Sequence, residues 1–295
     1  MANVFCVFAF LVGAGGVAFA PIAIAAEIVV DNRLGSDQQT PNDGLRLQKP
    51  YRTITRAIRD AVLGDSITIR KTDEPYREGV SINGNHSLGT TEFPLVINGG
   101  GITLDGTRPL GSTDWDAMGR DIFEMTFRSP GHVKILAAAG QPTPENRGRV
   151  ENLDLLQPFQ FARKSGSIYF KTRRGDRPTM YGLRASAEQT GLTLYDVSNI
   201  IIRDMTIVGY RLDGINCHDR VDNVQFENVV SRDNGRSGIS VGGASTVTAR
   251  GCTFAANEDS QIRAEGNGVL HLFDVKTDAE VATAIDRAGG RVVEH

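Results

Sequence analysis

Four side chains in the C-terminal part of this chain are of types that move protons: Tyr195, His218, Arg263 and Glu265. A base can take the proton alpha to a carboxylate, a cation can hold that carboxylate as it becomes an enolate, and an acid can protonate a departing oxygen. His218 suits the first task, because an imidazole ring nitrogen can accept a proton. Arg263 suits the second and Tyr195 the third. Asn216, Asp219, Glu265 and Asp213 are the polar neighbours that would hold a substrate. Asp213 and Asp219 flank His218 in the string LDGINCHD, the densest polar cluster in the chain, although Asp213 followed by Gly214 also reads as plain turn chemistry. Asp213 and Asp219, joined by Asp233 or Glu265, offer oxygen ligands to calcium without a spacing signature for it.

These residues come together only if something repeats. Four segments align, beginning at Gly191, Gly214, Gly238 and Gln261, with starts 23, 24 and 23 residues apart. In the first strand of each unit the second and fourth positions are apolar: Leu192 and Leu194, Ile215 and Cys217, Ile239 and Val241, Ile262 and Ala264. Period-two alternation turns these inward and the intervening residues outward. The outward columns are Thr193, Asn216, Ser240, Arg263 and, two residues on, Tyr195, His218, Gly242, Glu265. Parallel stacking sets neighbours in a column about 4.8 Å apart. The bare polar exterior of four stacked coils would also display such residues, so surface and site both fit the pattern. A second alternating run begins at Ile200, Val224, Val247 and Val269. Two or three β-branched strands per unit argue against a leucine-rich repeat, which has one. Asn199 with Asn223, and Asn234 with Asn257, fall in register at turns, where a side-chain ladder would satisfy backbone groups as readily as turn preference explains them.

This repeat resembles the right-handed parallel β-helix family, the pectin-lyase-like fold shared by pectate lyases, polygalacturonases and alginate-modifying enzymes. The opening KPYRTITRAIRDAVLGDSITIR, followed by EPYREGVSI, is similar to the family's usual start. In that start a helix, here Thr53 to Val62 by its apolar spacing, caps the first coil before Gly64-Asp65 turns into a strand from Ser66 to Arg70. At the other end, Asp278 to Ala288 reads as a short amphipathic helix stopped by Gly289-Gly290 and covering the open edge. The resemblance implies an all-β solenoid over residues 27–295 with helical caps at both ends, regular over 191–280. Residues 107–189 are expected to form irregular coils and an insertion with hairpin-like runs such as SIYFKTRRGDRPTM. It further implies polysaccharide as partner, and a carbohydrate-active protein such as a lyase on a uronate-containing glycan. A non-catalytic glycan-binding or cell-surface structural module is the rival expectation, and an interaction scaffold a third.

Departures from the family's enzymes narrow this. The three aspartates, His-Gly and Arg-x-Lys of polygalacturonases are absent, as is the Asp-Pro-His-Asp of alginate epimerases, of which Cys217-His218-Asp219 is a faint echo. Asp219 and Glu265 stand two coils, about 10 Å, apart, marginal for inverting and too far for retaining glycoside hydrolysis.

The chain is 40% hydrophobic and 23% charged, enough apolar material for a core, which excludes disorder as the default. A formal net charge of −3 without long charge runs gives no signature for nucleic acid. Residues 1–26 carry no charged side chain, run apolar from Val4 to Ala20 and end in small residues, as a signal peptide does, with an uncleaved anchor as the alternative. No later segment approaches the length of a membrane span. A secreted, periplasmic or cell-surface monomer is expected. Of three cysteines, Cys6 lies in that leader, and the repeat alignment sets Cys217 and Cys252 on different sheets of adjacent coils, so both are expected as buried thiols. Mass spectrometry of protein from its native host should find a terminus near Ala26 or Glu27; an intact Met1 on cytoplasmic material contradicts export.

Overall fold

Most strands of the repeat units bury one side, and the buried sides coincide because the units stack in parallel. The computed structural model describes residues 26–38, 49–84, 88–126, 132–278 and 283–295. The expected signal peptide therefore lies, but for Ala26, outside the described residues. The opening coils comprise β1 (Glu27–Val30), α1 (Ile54–Asp60), β2 (Ser66–Ile69), β3 (Val80–Asn83) and β4 (Leu95–Asp105). An insertion follows, with β5 (Thr107–Pro109), β6 (Asp116–Gly119), β7 (Ile122–Thr126), β8 (Ile135–Leu136), β9 (Glu145–Arg149), β10 (Gln160–Lys164), β11 (Ser167–Lys171) and β12 (Arg184–Ser186). The coils resume with β13 (Leu192–Val208), β14 (Ile215–Glu227), β15 (Val230–Arg232), β16 (Ser237–Val241), β17 (Thr246–Arg250) and β18 (Thr253–Ala255). They end with β19 (Ser260–Glu265), β20 (Val269–Phe273), β21 (Lys276–Thr277), β22 (Thr283–Ala288) and β23 (Arg291–Glu294).

These strands form three parallel faces. The first stacks β3, the start of β13, the start of β14, β16, β19 and β22. The second stacks β1, β2 and β4 with the middle of β13, the end of β14, β17, β20 and β23. The third stacks the end of β4, the end of β13, β15, β18 and β21. Leu192 pairs with Ile215, Ile215 with Ile239, Ile239 with Ile262 and Ile262 with Ile285, one aliphatic column through five coils. All but the last are buried in the main core.

The corners are made by residues in left-handed backbone conformation. One column of such residues is Asp196, Asp219, Gly243, Gly266 and Gly289; another is Asp204, Asn228, Gly251 and Asp274. Asp, Asn and Gly tolerate this conformation at least cost. The asparagine pairs take different roles. Asn223 Nδ2 donates to Asn199 Oδ1 at 2.8 Å on the exterior. Asn234 Nδ2 and backbone N–H donate to Asn257 Oδ1 at 2.9 and 3.0 Å inside the solenoid, and Asn257 Nδ2 donates on to Gln261 Oε1 at 2.8 Å. Both asparagines are fully buried, so this inner ladder satisfies groups that water cannot reach.

At the N-terminal end α1 is shorter than its sequence range. Thr53 Oγ1 caps it by accepting from Arg56 N–H at 3.1 Å, and Ile54, Ala57 and Ile58 enter the main core. The expected C-terminal helix is overturned: Thr283–Ala288 is strand β22, parallel to β19. Ile285 continues the inward column, and this stacking outweighs the weak helical preference of so short a segment. Residues 279–282 of that reading lie outside the described residues.

The described residues from Thr107 to Ser186 form an insertion with the expected hairpin-like pairing, and sheets in place of irregular coils. They build a five-stranded sheet in the order β6, β7, β11, β10, β9 and a three-stranded sheet in the order β5, β12, β8. Phe159, Phe161, Phe170 and Tyr181 pack between them in a second core. A buried carboxylate joins this unit to the coils: Asp105 accepts from Arg77 Nη1 of the solenoid at 3.0 Å and from Arg184 Nη1 of β12 at 2.5 Å. Lys134 pairs with Glu258 at 3.4 Å farther along, and burial pushes the Glu258 carboxyl up from its ordinary value.

Ile239→Asp, which sets an unpaired carboxylate in the middle of the aliphatic column, should cost several kcal/mol and unfold the solenoid in a thermal melt. Cys217 lies in β14, Cys252 in the turn between β17 and β18; both are buried and free. Burial pushes the Cys252 thiol up to about 11 and Cys217 higher still. Thiol labelling should therefore be slow in the native protein and should find both groups after denaturation without reductant; finding neither would contradict the arrangement.

Candidate functional site

The outer side of the first face carries both polar columns. One runs Ser81, Thr193, Asn216, Ser240, Arg263, Asp286 by strand register. In the other, Asn83 pairs with Tyr195 and Tyr195 with His218. Gly242 follows His218, and Glu265, at the next level, pairs with Ala288.

Tyr195 is half exposed, at 51%, beside a partly buried His218. The Tyr195 phenol donates a hydrogen bond to Asp219, and that bond and the carboxylate's negative charge raise the phenol's pKa. Asp219 itself occupies the left-handed corner, which swings its exposed carboxylate out of the strand toward the phenol. Tyr195, His218 and Asp219 are thus one cluster, assembled from two adjacent coils.

Arg263 is not part of it. Its Nε donates to Glu265 Oε2 at 3.1 Å, and its Nη1 donates to Asp286, one coil farther from His218. The guanidinium is drawn away from the histidine by a residue that the sequence pattern had assigned to a helix. Glu265 lies over Gly242, where an added Cβ would meet Glu265 Cγ at 3.1 Å. Beneath these side chains Asn216 Oδ1 and Ser240 Oγ, register neighbours, are buried without a hydrogen-bond partner.

Asp213 is withdrawn from the substrate-binding set. It is fully buried, accepting from Arg236 Nε at 2.9 Å, from a second Arg236 nitrogen and from Ser237 Oγ. A carboxylate so placed holds two turns together and does not reach the surface. The calcium set also fails to converge. Asp213 is committed to Arg236, Asp233 to Arg232 and Glu265 to Arg263. No group of three or more His, Cys, Asp or Glu poised for a metal occurs among the described residues. No helix among them is long and apolar enough to cross a membrane.

Missed by sequence reasoning were Asp286, hidden by the helical reading, and a cleft of about 380 Å³ in the insertion, lined by Trp115, Asp121, Phe123, Asp176 and Arg177. These cleft residues come from distant stretches with no period, so no spacing could have grouped them.

Residues 160–273 match the family model described as "Right handed beta helix region". No curated protein matches the chain. Among solved structures it is similar to a glycoside hydrolase at 14% identity, with a TM-score of 0.49 over 85% of this chain and 74% of the other. It is similar to the XylC complex with xylose at 10% identity, TM-score 0.45, over 90% of this chain and 66% of the other. It is also similar to a rhamnogalacturonan lyase at 10% identity, TM-score 0.37, over 92% and 62%. The match over 160–273 and the stacked parallel coils of the described residues agree on a right-handed β-helix fold, with no narrower subfamily marked out.

Proposed function

We propose that this protein works outside the cytoplasm on polysaccharide bound along the outer side of the first face, and that the Tyr195, His218 and Asp219 cluster supports β-elimination on a uronate-containing glycan. One observation carries the reading: an exposed phenol, hydrogen-bonded to Asp219, stands in register with a histidine on a parallel face. In the proposed step neutral His218 takes the C5 proton. The C4 to oxygen bond breaks as the C4=C5 double bond forms, and Tyr195 protonates the departing glycosidic oxygen. The phenolate left on Tyr195 regains its proton from solvent, and His218 returns its own.

A second reading has its own support. Arg263, the cation expected to hold the uronate carboxylate, is paired with both Glu265 and Asp286, which suits a static polar surface. On that reading the face binds glycan without cleaving it.

The test is a panel of uronate polysaccharides, followed by absorbance of the unsaturated product, with calcium and with chelator. His218→Ala should abolish turnover while the protein keeps its fold, with a stability loss of no more than about 1 kcal/mol at this partly buried position. Full activity in that variant overturns the site. A wild-type protein that binds the glycans in pull-down yet forms no unsaturated product establishes the second reading.

A further inference from the structure

The insertion carries a site of its own. On the inner side of its five-stranded sheet, Phe123 of β7 pairs across with Phe170 of β11. Trp115 packs on Phe170, with ring centroids 6.0 Å apart. Trp115 and Phe123 are only partly buried and line the cleft, together with Asp121, Asp176 and Arg177. Trp115 Nε1 is buried with no hydrogen-bond partner. The part of the indole left to face the cleft is therefore its carbon rim, an apolar platform.

The polar groups around that platform are held in place. Asp121 Oδ1 accepts the Gly175 N–H at 3.0 Å, and Asp176 Oδ2 accepts the Tyr181 hydroxyl at 2.7 Å. Each carboxylate keeps a further oxygen for a ligand. Arg177, exposed at the rim, makes no ion pair among the described residues. An aromatic floor with a few fixed polar groups is the make-up of a small-molecule site. The chemistry narrows the ligand. A sugar ring has C–H faces for the aromatic rim and vicinal hydroxyls that donate to carboxylates and accept from a guanidinium. A uronate would bring its charge against Asp121 and Asp176, so the matching unit is neutral.

We propose that the cleft between Trp115 and the Gly175–Thr179 segment binds a neutral pyranose unit of a glycan, independently of the β-helix face. The insertion would then serve as an anchoring module for a polymer that bears neutral sugars.

The chain's only tryptophan is its own reporter. The full-length protein is titrated with xylohexaose, cellohexaose and galactohexaose, and in parallel with oligogalacturonate, while Trp115 fluorescence is followed. A saturable spectral change with at least one neutral oligosaccharide is expected. Arg177→Ala, an exposed change, should weaken it about tenfold, the loss of one charge-assisted hydrogen bond. Trp115→Phe, which keeps the packing on Phe170, should weaken binding by calorimetry with an unchanged melting temperature. His218→Ala should bind as the wild type does, which separates this site from the proposed catalytic face. No response to any neutral oligosaccharide, a response to oligogalacturonate alone, or unaltered affinity in both cleft variants would overturn the proposal.

Discussion

The architecture rests on stacking in register. A residue turned inward in one coil meets its counterpart from the next, so each column must be filled by groups that satisfy one another along the axis. The Leu192, Ile215, Ile239, Ile262 column does so by apolar contact. The Asn234, Asn257, Gln261 chain does so by handing hydrogen bonds from coil to coil. Asp213 shows the limit of the arrangement. An inward charge is accommodated because Arg236 and Ser237 on the following coil close around it.

The same constraint explains what was legible in the sequence. Period-two alternation and unit length identified the first face correctly, down to the pairing of Tyr195 with His218 and of Asn216 with Ser240. The corners were only half visible. Asp196, Asp219, Gly243, Gly266 and Gly289 share a backbone conformation and not a residue type, so the column disappears when letters are compared. Residues 283–288 were misread because an amphipathic strand and a short amphipathic helix look alike when so few residues are available. The partner that decides the matter, β19, is invisible to local pattern.

The candidate site was legible to the same depth. Strand register determines which residues share a face, and those assignments hold for Tyr195, His218, Asn216, Arg263 and Glu265. Register does not determine where a long side chain goes. Arg263 turns to Glu265 and Asp286, and Asp219 turns to the Tyr195 phenol, through contacts that depend on charge and on the left-handed corner. The columns select the neighbourhood, and electrostatics selects the partners within it.

The place of the insertion has a consequence for how the chain reaches its structure. Val80 pairs with Leu192 and Leu192 with Ile215, so the sequence separation of stacked partners falls from 112 to 23 across a single strand. Closing the longer loop costs only about 1.4 kcal/mol more in chain entropy, since that cost grows with the logarithm of length. Speed is affected more than stability. Contacts between near neighbours in sequence form soonest, so stacking among the coils from β13 onward closes far shorter loops than the stacking of β3 on β13 across the insertion.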